Sequence, residues 1–282
     1  MGLLTVIITV HNRADFLARG LLCLASQSIR PDELIISDDG SSGEMIETIK
    51  KFIPELKMRV KYVRQEHKGF RLSRSRNNAV RIAEGDHLIF LDQDIIYTKN
   101  YFRTFVDHLR PGRFQVAWPI RLTLQQTEQL TDKMIIDGNF HELVTSEQVK
   151  EVRQQYRRDT LYHFFKKYRL RQIGPKLRGG VCLVNREDYV RINGYDERYQ
   201  GWGNEDDDMG RRLHQSGVLG LNPFESEFPV HMYHAPYREG EKRVNQEYYL
   251  QRKAAIHKKN DMVCEFGLVN PLEDDELSVI NL

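Results

Sequence analysis

The chain has 282 residues, enough for one substantial core or for a nucleotide-binding half with a second part packed on it. Its 40% hydrophobic and 29% charged content is that of an ordinary globular protein and excludes wholesale disorder. Forty-two basic residues against forty acidic ones leave a net charge of +2, so no global field draws nucleic acid or an acidic partner, and specificity must be local.

Cys23, Cys182 and Cys264 are widely separated, with no CxxC pair, which fits a reducing compartment better than a zinc or disulfide framework. The apolar run at residues 3–10 is too short for a membrane span and lacks a signal peptide's flanks, so nothing is expected to cross a bilayer. Without an internal repeat or a linker, two parts, 1–123 and 124–282, are expected to share one compact body.

Short β-rich runs alternate with helix-period segments through the first part, the pattern of a mainly parallel sheet with crossover helices. Residues 4–9 (LTVIIT) form the first strand, and Leu17, Leu21 and Leu24 recur at helical spacing before Pro31. Residues 33–38 (ELIISD) form the next strand and end in the turn Asp38-Asp39-Gly40-Ser41, at the edge where ligands of open α/β sheets gather. A strand at 59–65 and a helix at 73–84 follow, with Gly85 as a left-handed cap. Residues 87–91 (HLIFL) then run straight into Asp92-Gln93-Asp94, and 114–118 form a further strand.

Between 124 and 168 the composition turns polar and helical, ending in Lys166, Lys167, Arg169 and Arg171. The plain expectation is a solvated helical insertion at about 124–175; a membrane-surface or acceptor-binding patch is the alternative. Residues 179–185 (GGVCLVN) return to strand character, and 186–192 form a short helix closed by Gly194.

Asp92 and Asp94, alternate residues at the end of a buried strand, could share a hard divalent cation whose open positions take diphosphate oxygens. Residues 201–208 (GWGNEDDD) set Trp202 between two glycines ahead of four acids. A helix start with Asn204 as its cap, an apolar face of Met209 and Leu213, and Gly217 as its end explains one or two of those acids, not four. A carboxylate there could act as general base, and Trp202 could offer a flat face to a sugar ring. His231 and His234, in FPVHMYH, could complete a mixed oxygen and nitrogen metal site. Positions i and i+3 of a regular strand face opposite sides, so both reach one metal only if the chain bends; His234, nearer Ala235 and Pro236, is the preferred ligand.

The chain resembles a family 2 glycosyltransferase of the GT-A fold, over most of its length. TVIITVHNR (5–13), ISDDGSS and SRSRNNAVRIAEGDHLIFLDQD (73–94) resemble the family's two nucleotide-binding loops, its Arg-Asn helix and its metal-binding DxD. Residues 179–213 are similar to the catalytic part of β-1,4-galactosyltransferases and of bacterial chondroitin-polymerase-type enzymes, and HMYH (231–234) resembles their metal-binding histidine segment. The resemblance implies that Thr9, His11, Arg13, Asp38 and Arg76 line a uridine pocket. It implies that Asp92 lies near ribose and metal, and that Asp94 and His234 hold Mn²⁺ or Mg²⁺, with the role of His231 open. Asp206 is the implied base, with Glu205 beside it; Trp202 contacts donor or acceptor, and Gly203 and Asp207 the acceptor. The chain departs from the pattern at Thr9 and His11, where Pro and Tyr are common, and at His231, where the galactosyltransferases carry methionine.

The expected reaction is inverting transfer from a UDP-sugar, with galactose or N-acetylgalactosamine favoured, to a glycan or lipid-linked glycan in surface polysaccharide or lipopolysaccharide synthesis. The expected setting is cytoplasmic, at the inner membrane face. Two rivals are a nucleotidyltransferase, which would release pyrophosphate, and a non-catalytic nucleotide-sugar or glycan-binding module, which would need no base.

Overall fold

All seven residues of strand β1 (Leu4–Val10) are buried, as both covered faces of a central parallel strand require. Leu4, Val6, Ile8 and Val10 enter one core cluster and Ile7 the other, the period-two alternation of a strand. The computed structural model describes residues 2–235, 244–274 and 276–282, so Pro236 lies outside the described residues.

Helix α1 (Ala14–Ala25) buries Leu17, Leu21 and Leu24 and ends before Pro31 is reached. Strand β2 (Glu33–Asp38) runs parallel to β1; helix α2 (Met45–Leu56), which the sequence reading passed over, leads to β3 (Arg59–Arg64), parallel to β2. After helix α3 (Leu72–Ile82) the chain crosses to the other side of β1, where β4 (His87–Asp92) pairs so that Thr9 stands opposite Asp92. This change of direction opens a crevice at the carboxyl ends of β1 and β4, where ligands of open α/β sheets bind.

Gly85 does not cap α3 in a left-handed conformation. The helix ends at Ala83 in extended backbone, and the Gly85 amide donates to Thr5 Oγ1 at 3.0 Å. A Cβ at Gly85 would stand 2.4 Å from that oxygen, so close packing on β1 is what selects glycine.

Strand β5 (Ile95–Ile96), helix α4 (Tyr101–Asp107), strand β6 (Arg113–Val116) and strand β7 (Ile120–Arg121) follow, leaving Trp118 beyond the end of β6. The segment expected as a helical insertion is four pieces: α5 (Leu124–Gln129), α6 (Asp132–Asp137), a 3-10 turn at Phe140–Leu143, and α7 (Ser146–Lys167). Capping boxes from Thr123 with Gln126 and Thr145 with Gln148 start α5 and α7. Along α7 only Val152 and Asp159 are buried, the second by a polar network described below.

Strand β8 (Val181–Asn185) inserts antiparallel between β4 and β6, so the second half of the chain continues the sheet begun by the first. Helices α8 (Arg186–Arg191) and α9 (Glu205–Gln215), strands β9 (Leu219–Leu221) and β10 (Val230–His231), helix α10 (Gln246–Lys259) and strand β11 (Ser278–Asn281) complete the chain. The eight-stranded sheet has the order β11-β3-β2-β1-β4-β8-β6-β9, and a small sheet β5-β10-β7 stands apart from it. Among the described residues no helix is long and apolar enough to cross a membrane.

Candidate active site

Four elements meet at the crevice. Thr9 Oγ1, at the end of β1, donates to Asp92 Oδ1 at the end of β4 (3.1 Å). Arg76, from α3, is fully buried; its Nη2 donates to Asp92 Oδ1 (2.9 Å) and its Nη1 to Asp206 Oδ1 (2.8 Å) in the first turn of α9. Tyr195 OH donates to the same Asp206 oxygen at 3.1 Å and accepts from Arg76 Nη1 at 3.1 Å. Asp206 Oδ2 makes no hydrogen bond among the described residues, and the side chain is 29% exposed. One carboxylate oxygen is therefore held and the other is open to the crevice.

Backbone close enough for this arrangement requires two glycines. A Cβ on Gly179 would lie 2.1 Å from both Arg76 Nη1 and Asp206 Oδ1, and one on Gly180 would lie 2.0 Å from Asp92 Oδ2. The pair read only as the start of a strand is what lets β8 approach the charged cluster.

The expected sharing of one cation by Asp92 and Asp94 is not the geometry found. Extended backbone ends at Asp92, the chain turns at Gln93 and Asp94, and the alternation that would align the two carboxylates is lost. Asp92 goes to Arg76, whereas Asp94 meets His231 and His234: one ligand atom from each of the three lies within 4.8 Å of the others. His234 Nε2 is 2.9 Å from Asp94 Oδ2, and His231 Nε2 is 3.5 Å from Asp94 Oδ1. Regular strand ends at His231, and the bend that follows brings both rings to one side, their centroids 5.3 Å apart. Arg13 Nη1 adds a cation 3.8 Å from Asp94 Oδ2.

This donor set fits a divalent ion. Asp94 Oδ1 is buried without a hydrogen-bond partner, and one carboxylate with two imidazoles suits Mn²⁺ or its neighbours while leaving positions open. His234 Nδ1 donates to the Ala235 carbonyl at 2.9 Å, which leaves Nε2 as the ligand nitrogen. The hydrogen bond to Asp94 raises the His234 pKa above 6.5. Burial alone would raise the Asp94 pKa; the His234 hydrogen bond and the charges of His231, His234 and Arg13 outweigh it and hold it below the usual carboxylate range.

The four acids of α9 diverge around its first turn. Asp208 is fully buried against Arg212 Nε (2.6 Å), and Arg212 Nη1 donates to the Ile192 and Gly194 carbonyls. Asp207 is taken by Arg211 Nε (2.7 Å), Tyr249 OH and, at 3.4 Å, Lys176 Nζ, so its carboxylate is committed to neighbouring side chains. Glu205 is buried with Oε2 unpartnered; burial, then the charge of Asp206, pushes its pKa up to about 8, so it holds a proton at neutral pH. Only Asp206 both faces the crevice and keeps a free oxygen.

Ahead of that turn, Asn204 does not cap the helix with its side chain. It is left-handed (φ 76°), and its amide reaches Gln246 Oε1 instead. Asn245, absent from the sequence expectations, donates through Nδ2 to the Gly201 and Gly203 carbonyls, both at 3.1 Å. The clamp sets the loop that presents Trp202, 55% exposed, beside the first turn of α9. Gly203, at φ 107°, has open space where a Cβ would be.

Two residues assigned to a uridine pocket have other partners. Asp38 is buried, its Oδ1 accepting from Ser41 N (2.7 Å) and Ser41 Oγ (2.6 Å) and its Oδ2 from Tyr62 OH, so it fixes the turn after β2. Arg76 is filled by Asp92, Asp206 and Tyr195. His11 remains half-buried at the edge, its Nδ1 donating to the Asp39 carbonyl and its ring stacked on His67 at 4.5 Å. Asp39 stands in the turn that the sequence placed at this edge, whereas His67 carried no local signal and was not singled out.

The family model for glycosyl transferase family 2 matches residues 5–189, and one described as the N-terminal domain of galactosyltransferase matches residues 159–235. A chondroitin synthase of Escherichia coli is 29% identical over 76% of this chain and 32% of its own length. A validoxylamine A glucosyltransferase of Streptomyces hygroscopicus subsp. limoneus is 30% identical over 77% of this chain and 49% of its own. The chain thus spans about a third to a half of these curated relatives. Among solved structures, GalNAc-T7 with UDP, GalNAc and Mn²⁺ is similar in fold, with a TM-score of 0.59 and 18% identity over 91% of this chain and 48% of that one. The open α/β sheet is the GT-A fold, and the chain belongs to glycosyltransferase family 2 and is a glycosyltransferase.

Proposed function

We propose that this enzyme transfers a sugar from a UDP-sugar to a hydroxyl of a glycan or lipid-linked glycan, with inversion, using Mn²⁺ or Mg²⁺. The carrying observation is Asp206: Oδ1 is fixed by Arg76 and Tyr195 while Oδ2 is free at the crevice. A carboxylate so held accepts the acceptor proton on Oδ2 without having to reorganise. Asp94, His231 and His234 would hold the metal, which would supply positive charge to neutralise the leaving diphosphate. Arg13 adds positive charge on the same side, and Trp202 offers a flat face to the sugar ring.

In this reading residues 1–123 mainly serve the donor and 124–282 the acceptor. Galactose or N-acetylgalactosamine is favoured as the transferred sugar, ahead of N-acetylglucosamine and glucose, and the product is a surface polysaccharide or lipopolysaccharide. The matched galactosyltransferase model supports that order. A cytoplasmic setting at the inner membrane face is part of the reading. Exposed Phe164, Tyr168 and Leu170 beside Lys167, Arg169 and Arg171 support it, and liposome sedimentation unchanged on neutralising those cations with Lys166 would reject it.

The deciding experiment measures UDP release across nucleotide sugars with and without Mn²⁺, followed by NMR of the product's anomeric centre. Metal-dependent UDP release with inversion is expected. Retention would remove Asp206 from the role of base; pyrophosphate release would mean nucleotidyl transfer; donor binding without transfer would mean a binding module.

A further inference from the structure

A second arginine stands beside Asp206 and has no part in the arrangement above. Arg178 immediately precedes Gly179, the residue whose missing side chain makes room for Asp206 and Arg76. Its guanidinium lies over the Trp118 ring, 3.3 Å from the centroid. That ring is held from behind by a buried polar network. Trp118 Nε1 donates to Asp159 Oδ2 (2.9 Å), Asn222 Nδ2 donates to the same oxygen (3.0 Å), and Gln155 Nε2 donates to Asp159 Oδ1 (2.9 Å).

Three neutral donors thus fill the Asp159 carboxylate, and it forms no ion pair with Arg178 although it lies within range of that charge. Arg178 Nε is buried without a hydrogen-bond partner, and among the described residues the guanidinium has no ion-pair partner within 4.0 Å. Burial, with repulsion from Arg121 and Arg158, pushes its pKa down to about 10 against the opposing pull of Asp206 and Asp159. A half-buried guanidinium without a counter-charge is costly, and stacking leaves its N–H edge available for a bidentate oxyanion.

We propose that Arg178, stacked on Trp118 beside Asp206, binds an oxyanion of the acceptor, so that the reacting sugar or its immediate neighbour carries a carboxylate or a phosphate. The proposal rests on reading Asp206 as the base. In an inverting displacement the base and the leaving diphosphate lie on opposite sides of the anomeric carbon, so a cation grouped with Asp206 serves the acceptor. The diphosphate has its own positive partners in the metal site and Arg13.

The test is equilibrium binding to the full chain, with UDP and Mn²⁺ present, of three probes: a methyl glucoside, the corresponding methyl glucuronide, and the phosphorylated methyl glucoside. At least one charged probe is expected to bind about tenfold or more tightly than the neutral one, the value of a charge-assisted hydrogen bond. Whichever charged probe wins identifies the anion. Arg178→Gln should erase that preference, and Arg178→Lys should keep part of it, with UDP affinity in Mn²⁺ unchanged in both. No preference for a charged probe, or a preference that survives Arg178→Gln, would overturn the proposal. Weaker UDP binding in Arg178→Gln would assign the cation to the donor, and equal loss of all three probes would make Arg178 structural; either result also overturns it. Binding requires no turnover, so these results are read separately from whether UDP release and inversion occur.

Discussion

Arg76 donates to Asp206 across 2.8 Å from a position that is 1% exposed, and this one contact ties helix α3 to the start of helix α9. Because the other terminal nitrogen holds Asp92 at 2.9 Å, the same side chain fixes the end of strand β4 relative to the base. Burial works against its charge, and Tyr195, Asp206 and Asp92 more than compensate, holding the guanidinium firmly in its charged form. Removing one partner of a buried ion cluster leaves uncompensated charge, at a cost of about 3–5 kcal/mol. Arg76→Ala should therefore lower unfolding stability by roughly that amount in urea titrations. Arg76→Lys, which cannot span both carboxylates, should fold and lose kcat. Wild-type kcat in the lysine variant would show that the bridge is not needed to aim Asp206.

Asp206→Asn preserves an oxygen for Arg76 and Tyr195 to bond but removes the basic site. With the proton acceptor gone, kcat should fall by about 10²–10⁴-fold, the usual contribution of a general base. UDP affinity in Mn²⁺ should stay at the wild-type value, because the base acts in the transition state. If calorimetry shows UDP binding lost along with kcat, Asp206 is a structural partner of Arg76 and not the base.

The metal site should be pH-sensitive in a direction set by His234. Its pKa lies above 6.5 because Asp94 accepts its hydrogen bond, so a proton competes with the metal for Nε2. Above that raised pKa Mn²⁺ affinity should be at its plateau, and as pH falls through it affinity should decline, with proton release on binding. Titration calorimetry in two buffers of different ionisation enthalpy measures both quantities. His234→Ala should weaken Mn²⁺ binding and remove the proton release; release unchanged in that variant would move the titration to His231 or elsewhere.

Much of this fold is written in local pattern. LTVIIT, ELIISD and HLIFL became β1, β2 and β4 because continuous apolar runs need cover on both faces. The crossing of the chain to the far side of β1, which opens the crevice, has no local signature. The site follows the same division. Asp94 and Asp206 stood out in DxD and GWGNEDDD, yet nothing in the spacing of Asp92-Gln93-Asp94 could reveal that the turn at Gln93 sends Asp92 to Arg76 and Asp94 to two histidines. His231 and His234 converge through a bend that strand periodicity does not encode. Gly179 and Gly180 carried a legible signal, two adjacent glycines opening a strand, but what they make room for is 88 residues before Gly180 at Asp92, or on another helix at Asp206.

Glu205 offers a test of the buried carboxyl group that needs no substrate. Its pKa is pushed from 4.5 to about 8 by burial and by the neighbouring charge of Asp206. Below 4.5 the folded and unfolded chains both carry the proton, and the group imposes no penalty. As pH rises from there toward 8 the unfolded chain gives up its proton while the folded chain keeps it, so this group's contribution to stability falls. Above about 8 the folded chain ionises as well and the loss levels off. Glutamine has the shape of the protonated acid without the titration. Glu205→Gln should therefore be as stable as the wild type near the acidic end, and its advantage should grow with pH and level off above about 8. Chemical denaturation of the metal-free and nucleotide-free chain across that range measures the difference. A difference that does not change with pH would mean that Glu205 is ionised in the folded chain beside Asp206.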